Sequence, residues 1–151
     1  MANTQAMATS FKTELLSGIH ALGTTVIRAG TGADTFKAAL YLTTATLDAS
    51  TTAYSSSNEV SGTGYSAGGI TVTNATAPTS SGTTAYWTPS ANLTYTTVTL
   101  ATAFDAVLIY NSTQSNKAVS VHTFGSQTIS AGTFTLTMPT SDATNALIRI
   151  A

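Results

Sequence analysis

The sequence predicts an all-β fold: a single β-sandwich or jelly-roll-like domain of about eight short antiparallel strands, preceded by a short N-terminal helix and arm. Short apolar stretches that alternate with polar residues recur along the chain, separated by turn signals at intervals of about 8 to 12 residues. Threonine and serine supply most of the polar side chains, and β-branched threonine favours strands. No helical stretch separates successive strands, which argues against a parallel βαβ architecture.

The chain begins with an expected loose arm at residues 1–8, followed by a helix with one apolar face. Ser10 is the predicted N-cap and Gly23 the predicted stop. We divide the chain into this N-terminal arm and helix, residues 1–23, and a β domain, residues 24–151. The helix can pack on its own sheet or dock on a neighbour, and the sequence leaves both open. Its apolar residues are Phe11, Leu15, Leu16, Ile19 and Leu22.

The first strands follow a glycine-punctuated connection at residues 28–34. Residues 36–42 carry apolar side chains on both faces, which is typical of a strand that is covered on both sides. Four glycines within residues 58–69 indicate tight turns or a long loop. The next predicted elements are a strand with Ile70, Val72 and Asn74 on one face, a loop at 77–84 and a short strand at 85–87.

The second half of the chain has the clearest strand patterns. In residues 93–100 the alternation slips by one residue at Thr96 and Thr97, as a β-bulge would cause. Gly125 and Gly132 are predicted to bracket a hairpin connection. The remaining predicted elements are a central strand at 107–110, a polar turn at 111–116, a strand at 119–124, a strand at 133–138 and a last strand at 147–150.

The charge content narrows the classes of partner. Charged residues make up 7% of the chain and the net charge is -1, against about 25% charged residues in ordinary soluble domains. No basic stripe can neutralise phosphates and no polybasic segment can dock on anionic lipid, so we expect neither nucleic acid nor a membrane as partner. A neutral hydroxyl surface instead lets many copies pack side by side without like-charge repulsion.

We predict no catalytic, cofactor-binding or metal-binding residues and no cofactor, and therefore a chain that is not an enzyme. The histidines are the candidate bases for nucleophilic catalysis, but His20 has no acidic residue nearby in sequence and His122 lies mid-strand. The carboxylates are scattered singly, without the spacing of a calcium loop. Asp34, Asp48 and Asp142 lie in loop-like segments, where turn capping is their expected role.

Two other functional classes remain open. Tyr65, Tyr86 and Trp87 would favour a host-surface or glycan-binding module if they line an exposed groove. An enzyme would require one of the histidines beside an acid and a hydroxyl. Residues 61–69, SGTGYSAGG, lack the Lys-Ser/Thr of a phosphate-binding P-loop and precede a strand, so we interpret them as a flexible connection.

Five segments in order along the chain carry a resemblance to a known group of proteins. The sharpest is the pattern E-V-x-G-x-G-Y-x-A-G-G at 59–69. The others are K-T-E-L-L-S-G at 12–18, K-A-A-L-Y-L at 37–42, F-D-A-V-L-I-Y at 104–110 and L-I-R-I at 147–150. Over nearly the full chain, this order resembles a broad group of small tailed-bacteriophage virion proteins, described as structural, decoration or minor capsid proteins.

The resemblance implies a capsid cement or decoration protein on the outside of the virion, made in the cytoplasm of the bacterial host. Its expected partners are the major capsid protein and itself, as a dimer or trimer around a local symmetry axis. A tail, neck or head-fibre component is the alternative within the same class. Our hypothesis for mechanism is that residues 1–22 and the loop 61–69 lie over seams between capsid subunits and add buried area there.

Overall fold

The structure, a computed structural model, describes residues 2–16, 18–23, 33–73 and 76–151. These residues form mostly β structure, arranged as two antiparallel sheets, with one short helix. In chain order the elements are β1 (Ala6–Met7), α1 (Thr9–Leu16), β2 (Phe36–Leu42), β3 (Ile70–Thr71), β4 (Thr79–Ser81), β5 (Thr84–Trp87), β6 (Leu93–Asn111), β7 (Lys117–Leu136) and β8 (Ile148–Ile150).

The strands β6 and β7 form one long hairpin, which corrects the prediction of uniformly short strands. They span 19 and 20 residues and pair from Leu93↔Leu136 to Asn111↔Lys117. The predicted polar turn between them is confirmed at residues 112–116. The predicted hairpin connection between Gly125 and Gly132 is wrong, because Gly132 pairs with Val98 inside the ladder. Bulges interrupt the alternation of apolar and polar residues near these two glycines, so the sequence there resembles the end of a strand.

The bulge predicted at Thr96 and Thr97 is confirmed. Tyr95 and Val98 are successive paired residues of β6, and Thr97 between them has a φ of 54°. The extra residue reverses the in-out parity of the strand. Tyr95 before the bulge and Val98 and Leu100 after it are consequently all buried.

The two sheets contribute to one hydrophobic core. The larger sheet has the order β1-β7-β6-β2-β3 and the smaller has the order β4-β5-β8. Phe36 of β2 and Trp87 of β5 belong to the same buried cluster, with ring centroids 6.0 Å apart. Residues 36–42 are buried or half-buried throughout, as predicted for a strand that is covered on both faces.

The N-terminal helix is shorter than predicted. It ends at Leu16 rather than near Gly23, because Gly18 adopts a left-handed φ of 67° and starts the cap. The amide of Gly18 donates to the carbonyl of Leu15, and the amide of Ile19 donates to that of Glu14. This pair of bonds is a Schellman motif. Ser10 lies inside the helix and is not its N-cap.

The arm and helix pack on the chain's own sheet, so the expectation of a loose arm is wrong. β1 pairs with β7 through Ala6↔Val121 and Met7↔Ser120, and Phe11 of α1 is fully buried. Asn3 is also held in place, since its amide nitrogen donates to Asp105 at 2.6 Å and its amide oxygen accepts from the Leu47 amide.

The strand predicted to contain Ile70, Val72 and Asn74 is shorter in the structure. β3 ends at Thr71, and Asn74 lies outside the described residues. Residues 28–32 of the glycine-punctuated connection also lie outside them. In the part of the chain that the structure describes, no helix has the length and apolar character needed to cross a membrane.

Candidate functional site

A buried polar cluster joins the N-terminal segment to the turn of the β6–β7 hairpin. We call it the His20 cluster; its members are Glu14, His20, Asp34, Asn111 and Lys117. Glu14 accepts from the Lys117 ammonium at 2.6 Å and lies 2.7 Å from His20 Nε2. Asn111 Nδ2 lies 3.0 Å from His20 Nδ1 and donates to Asp34 at 2.9 Å. The cluster therefore connects residues from four separate parts of the chain.

The surrounding bonds define the protonation state of the imidazole. Asn111 Oδ1 accepts from the amides of Thr113 and Gln114, so its nitrogen must face His20. Because that nitrogen is a donor, His20 Nδ1 must act as an acceptor, and Nε2 carries the proton that it donates to Glu14. A neutral His20 satisfies every bond in this arrangement, whereas a second proton on Nδ1 would oppose the Asn111 donor.

The electrostatics of the cluster agree with this assignment. Burial lowers the pKa of His20 below its ordinary value, despite the opposing influence of Glu14. Burial also opposes ionisation of Glu14, but hydrogen bonds from Lys117 and His20 outweigh it and keep the pKa of that carboxyl below its usual range. The neutral imidazole beside an ionised carboxylate is therefore the form expected at neutral pH.

The cluster gives His20 and Asp34 partners that the sequence did not predict. His20 has an acidic partner, because the cap at Gly18 turns the chain back and brings Glu14 to it. Asp34 accepts from the Ala21 amide, Asn111 and Gln114 across the fold. In contrast, Asp48 and Asp142 cap local turns as predicted, accepting from the amides of Ser50 and of Thr144 and Asn145.

Neither histidine completes a nucleophilic triad with the described residues. His20 has an acid beside it, but both of its ring nitrogens already face side chains of the cluster. His122 has a hydroxyl beside it, since its Nε2 lies 2.8 Å from Ser120 Oγ, and burial lowers its pKa to about 4. The structure thus separates the acid and the hydroxyl that serine-type catalysis requires together.

A second cluster holds the glycine-rich loop. We call it the Glu59 cluster; its members are Tyr54, Glu59, Tyr65, Gly68 and Tyr110. The Glu59 carboxylate accepts from Tyr54 OH at 2.6 Å, from Tyr65 OH at 2.8 Å and from the Gly68 amide at 2.7 Å. Tyr110 OH donates to the Gly68 carbonyl, and its ring stacks on Tyr54 with centroids 4.7 Å apart.

These contacts replace the interpretation of residues 61–69 as a flexible connection. Gly69 lies so close to β2 that a Cβ there would be 1.7 Å from the Ala38 carbonyl oxygen. Burial, and then the neighbouring Glu59 carboxylate, raise the pKa of Tyr54 above its ordinary value, so it remains a neutral donor. The segment 59–69, which carries the resemblance, therefore has a structural role. Glu59 and the glycines position this loop against the sheet.

The aromatic residues do not form one common platform. Tyr65 belongs to the Glu59 cluster, and Trp87 is buried with its indole nitrogen donating to the Thr76 carbonyl. Tyr86 is half-buried and lines an apolar groove of about 310 Å³ with Leu15, Leu22 and Ile150, among others. No group of metal-ligating side chains occurs among residues 2–16, 18–23, 33–73 and 76–151.

The exterior of the long hairpin is an extended neutral surface. We call residues 93–103 of β6 and 125–136 of β7 the ribbon, because this part of β6 lies beyond its pairing with β2, which ends at Leu42↔Phe104. One side of the ribbon is buried. The exposed residues are Thr94, Thr96, Thr97, Ala101, Thr102, Gly125, Ser126, Gln127, Thr128, Ser130, Ala131, Thr133 and Thr135.

Most of the few charged side chains donate or accept hydrogen bonds to other parts of the chain, so they stabilise clusters, caps and the N-terminal arm. They are Glu14, Asp34, Asp48, Glu59, Asp105, Lys117, Asp142 and Arg149. Glu14 and Asp34 are buried, whereas Asp48, Asp142 and Arg149 form their bonds at the surface. The ribbon itself contains no charged residue.

Comparison of the chain with protein-family models, with curated proteins and with solved structures returned no match.

Proposed function

We propose that this chain is a structural protein of a tailed-bacteriophage virion, and specifically a cement protein that bridges neighbouring major capsid subunits on the outside of the head. The observation that carries the proposal is the distribution of charge. A low charge content alone is compatible with many roles, but here every charged residue lies outside the ribbon, which leaves a long neutral surface on the hairpin. Such a surface can be buried against protein without desolvating ions.

The proposal assigns the contacts with the capsid to different residues from those of the first hypothesis. Because β1 and α1 pack on the chain's own sheet, they are not free to reach across a seam. The ribbon and the exposed tip of the glycine-rich loop, residues 61–64, remain available. These surfaces are held rigidly by the hairpin and the Glu59 cluster, which lowers the entropic cost of binding.

We also propose that the two sheets face each other as a β-sandwich. The five-stranded and three-stranded sheets share one core cluster, and Phe36 and Trp87 bring their buried faces together. Aromatic and aliphatic side chains from both sheets fill the space between the layers, as sandwich packing requires.

The test is binding of the purified chain to heads that lack decoration, measured by co-sedimentation. Binding should persist when the salt concentration is raised, because neutral surfaces gain little from charge pairing. Thr94→Glu combined with Thr102→Glu should weaken it, since both residues are exposed on the β6 half of the ribbon. Ser57→Glu, an exposed change outside the ribbon, is the matched control. Absence of binding to heads would refute the cement role, and binding to isolated tails would favour the tail alternative.

A further inference from the structure

One edge of the larger sheet is open along most of its length. Among the described residues, β7 is paired on its outer side by residues 52–53, at Lys117 and Ala118, and by β1, at Ser120 and Val121. One further bond joins the Ala8 amide to the Val119 carbonyl. From residue 122 to residue 136 that side has no strand beside it in the described part of the chain. A strand edge of this kind presents unpaired amides and carbonyls to any extended partner.

The outer sides of β2 and β6 in the same sheet are partly covered by other segments. The outer side of β2 is covered by β3 and by residues 58–60, with the Val60 amide donating to the Leu40 carbonyl at 2.9 Å. The outer side of β6 in the ribbon is covered at Thr99, whose amide donates to the Thr63 carbonyl. Gly62 and Gly64 permit this approach, since a Cβ at either would lie within about 2.2 Å of a β6 carbonyl oxygen.

The open edge also lacks the usual protection against pairing. Residues 118–136 include no charged side chain and no proline, whereas exposed edges commonly carry lysine or proline to prevent association. The bulge at Ala131, with a φ of 48°, twists the strand, whereas residues 134–136 pair with β6 without a register shift. Among the described residues, β7 therefore keeps a long uncovered edge that is able to pair.

We propose that residues 122–136 of β7 pair antiparallel with the same segment of a second copy of this chain, around a twofold axis. In such an interface each residue faces either itself or another residue of the same segment. Any charge in the segment would therefore meet a like charge, and this segment has none. Pairing joins the two larger sheets into one continuous sheet. This proposal is independent of the virion role, because self-association needs no capsid.

The absence of cysteine makes a direct test possible, since each single-cysteine variant carries one thiol. The variants are Thr128→Cys, Ser130→Cys, Thr133→Cys and Thr135→Cys, with Ser57→Cys as a control at an exposed loop position. Oxidative cross-linking should peak at one position, or at two adjacent ones, because only residues at the axis bring their own Cβ atoms within about 5 Å across antiparallel strands.

A charge-pair experiment provides the second measurement. The charge is placed at the position of strongest cross-linking, for example Ser130→Lys and Ser130→Asp if the axis lies at Ser130. Each variant should raise the dimer dissociation constant by about fivefold or more, because like charges would face each other across the axis. Mixing the two variants should restore the dimer. Circular dichroism of each variant shows whether it remains folded, and an unfolded variant is replaced by the same pair of changes at the position with the next strongest cross-linking.

The outcomes separate the two proposals. In sedimentation, the chain should have twice its monomer mass of 15.4 kDa. A monomer at the highest concentration reached, or a dimer whose cross-linking does not depend on position along β7, would overturn the self-pairing. A monomer that loses head binding when lysine is introduced at Ser130 would also overturn it, because the edge would then receive a strand of the capsid. A dimer that ignores heads would retain the self-pairing and refute the cement role.

Discussion

Removal of the Glu59 carboxylate should be among the most destabilising single changes in the chain. Glu59→Ala deletes the acceptor for Tyr54, Tyr65 and the Gly68 amide. A hydrogen bond to a charged group contributes about 1.5–3 kcal/mol, and a buried donor that loses its acceptor pays its own desolvation cost. Tyr54 is half-buried and can turn to water, so we count only Tyr65 and Gly68 in full. The expected loss is roughly 3–6 kcal/mol of the free energy of unfolding.

Urea denaturation followed by circular dichroism measures this loss, with calorimetry as a second assay. A loss of that size should lower the melting temperature by roughly 10 °C or more in a domain of this length. Glu59→Gln should cost less, because its carbonyl oxygen can still accept from Tyr65 and Gly68. Tyr54→Phe should cost less again, since it removes one bond that water can replace.

The order of the variants decides whether the reasoning holds. The matched control is Asp48→Ala, which removes a carboxylate that caps a solvent-exposed turn by accepting from Ser50. If Glu59→Ala cost no more than Asp48→Ala, the Glu59 cluster would not hold the loop. If Glu59→Ala and Tyr54→Phe lowered the free energy of unfolding by the same amount, a single hydrogen bond would account for the stabilisation. That result would contradict the estimate.

Two further predictions concern pH and backbone geometry. Burial lowers the pKa of His122 to about 4, so on acidification the unfolded chain binds a proton before the folded chain does. The free energy of unfolding should therefore fall by roughly 2–3 kcal/mol between about pH 6.5 and 4. In urea denaturation, His122→Gln should reduce this dependence on pH, and an unchanged slope would refute the assignment. Gly69→Ala should cost more than about 3 kcal/mol because its Cβ would strike the Ala38 carbonyl. Gly82→Ala has a similar positive φ but open space around the new methyl, and it should cost only about 1 kcal/mol; equal losses would mean that φ alone matters.

Local patterns predicted local features well. The bulge at Thr96 and Thr97 was visible because it shifts the alternation by one residue, and the turn because six polar residues, 111–116, follow an apolar run. The mostly β character followed from alternation and threonine content. Each of these depends on residues that are neighbours in sequence, so periodicity is sufficient to find them.

Features set by distant contacts were missed for identifiable reasons. Gly23 was predicted as the helix stop because the apolar spacing continues to Leu22, but the Schellman bonds that end the helix form at Gly18. The joining of four predicted strands into β6 and β7 depends on pairing across the hairpin, which tolerates Gly125 and Gly132 inside a strand. The His20 cluster unites residues 14, 20, 34, 111 and 117, and no sequence spacing indicates that these meet.

The Glu59 cluster also connects stability to assembly. Its carboxylate holds the loop whose residues 62–64 cover the outer side of β6, so releasing the loop would expose a second edge on each subunit. A subunit with one open edge forms a closed twofold dimer, whereas a subunit with two different open edges can add copies without limit. Glu59→Ala should therefore produce species larger than a dimer in light scattering under conditions where the protein remains folded. Asp48→Ala should not, and dimers alone from Glu59→Ala would show that the loop is not what protects β6.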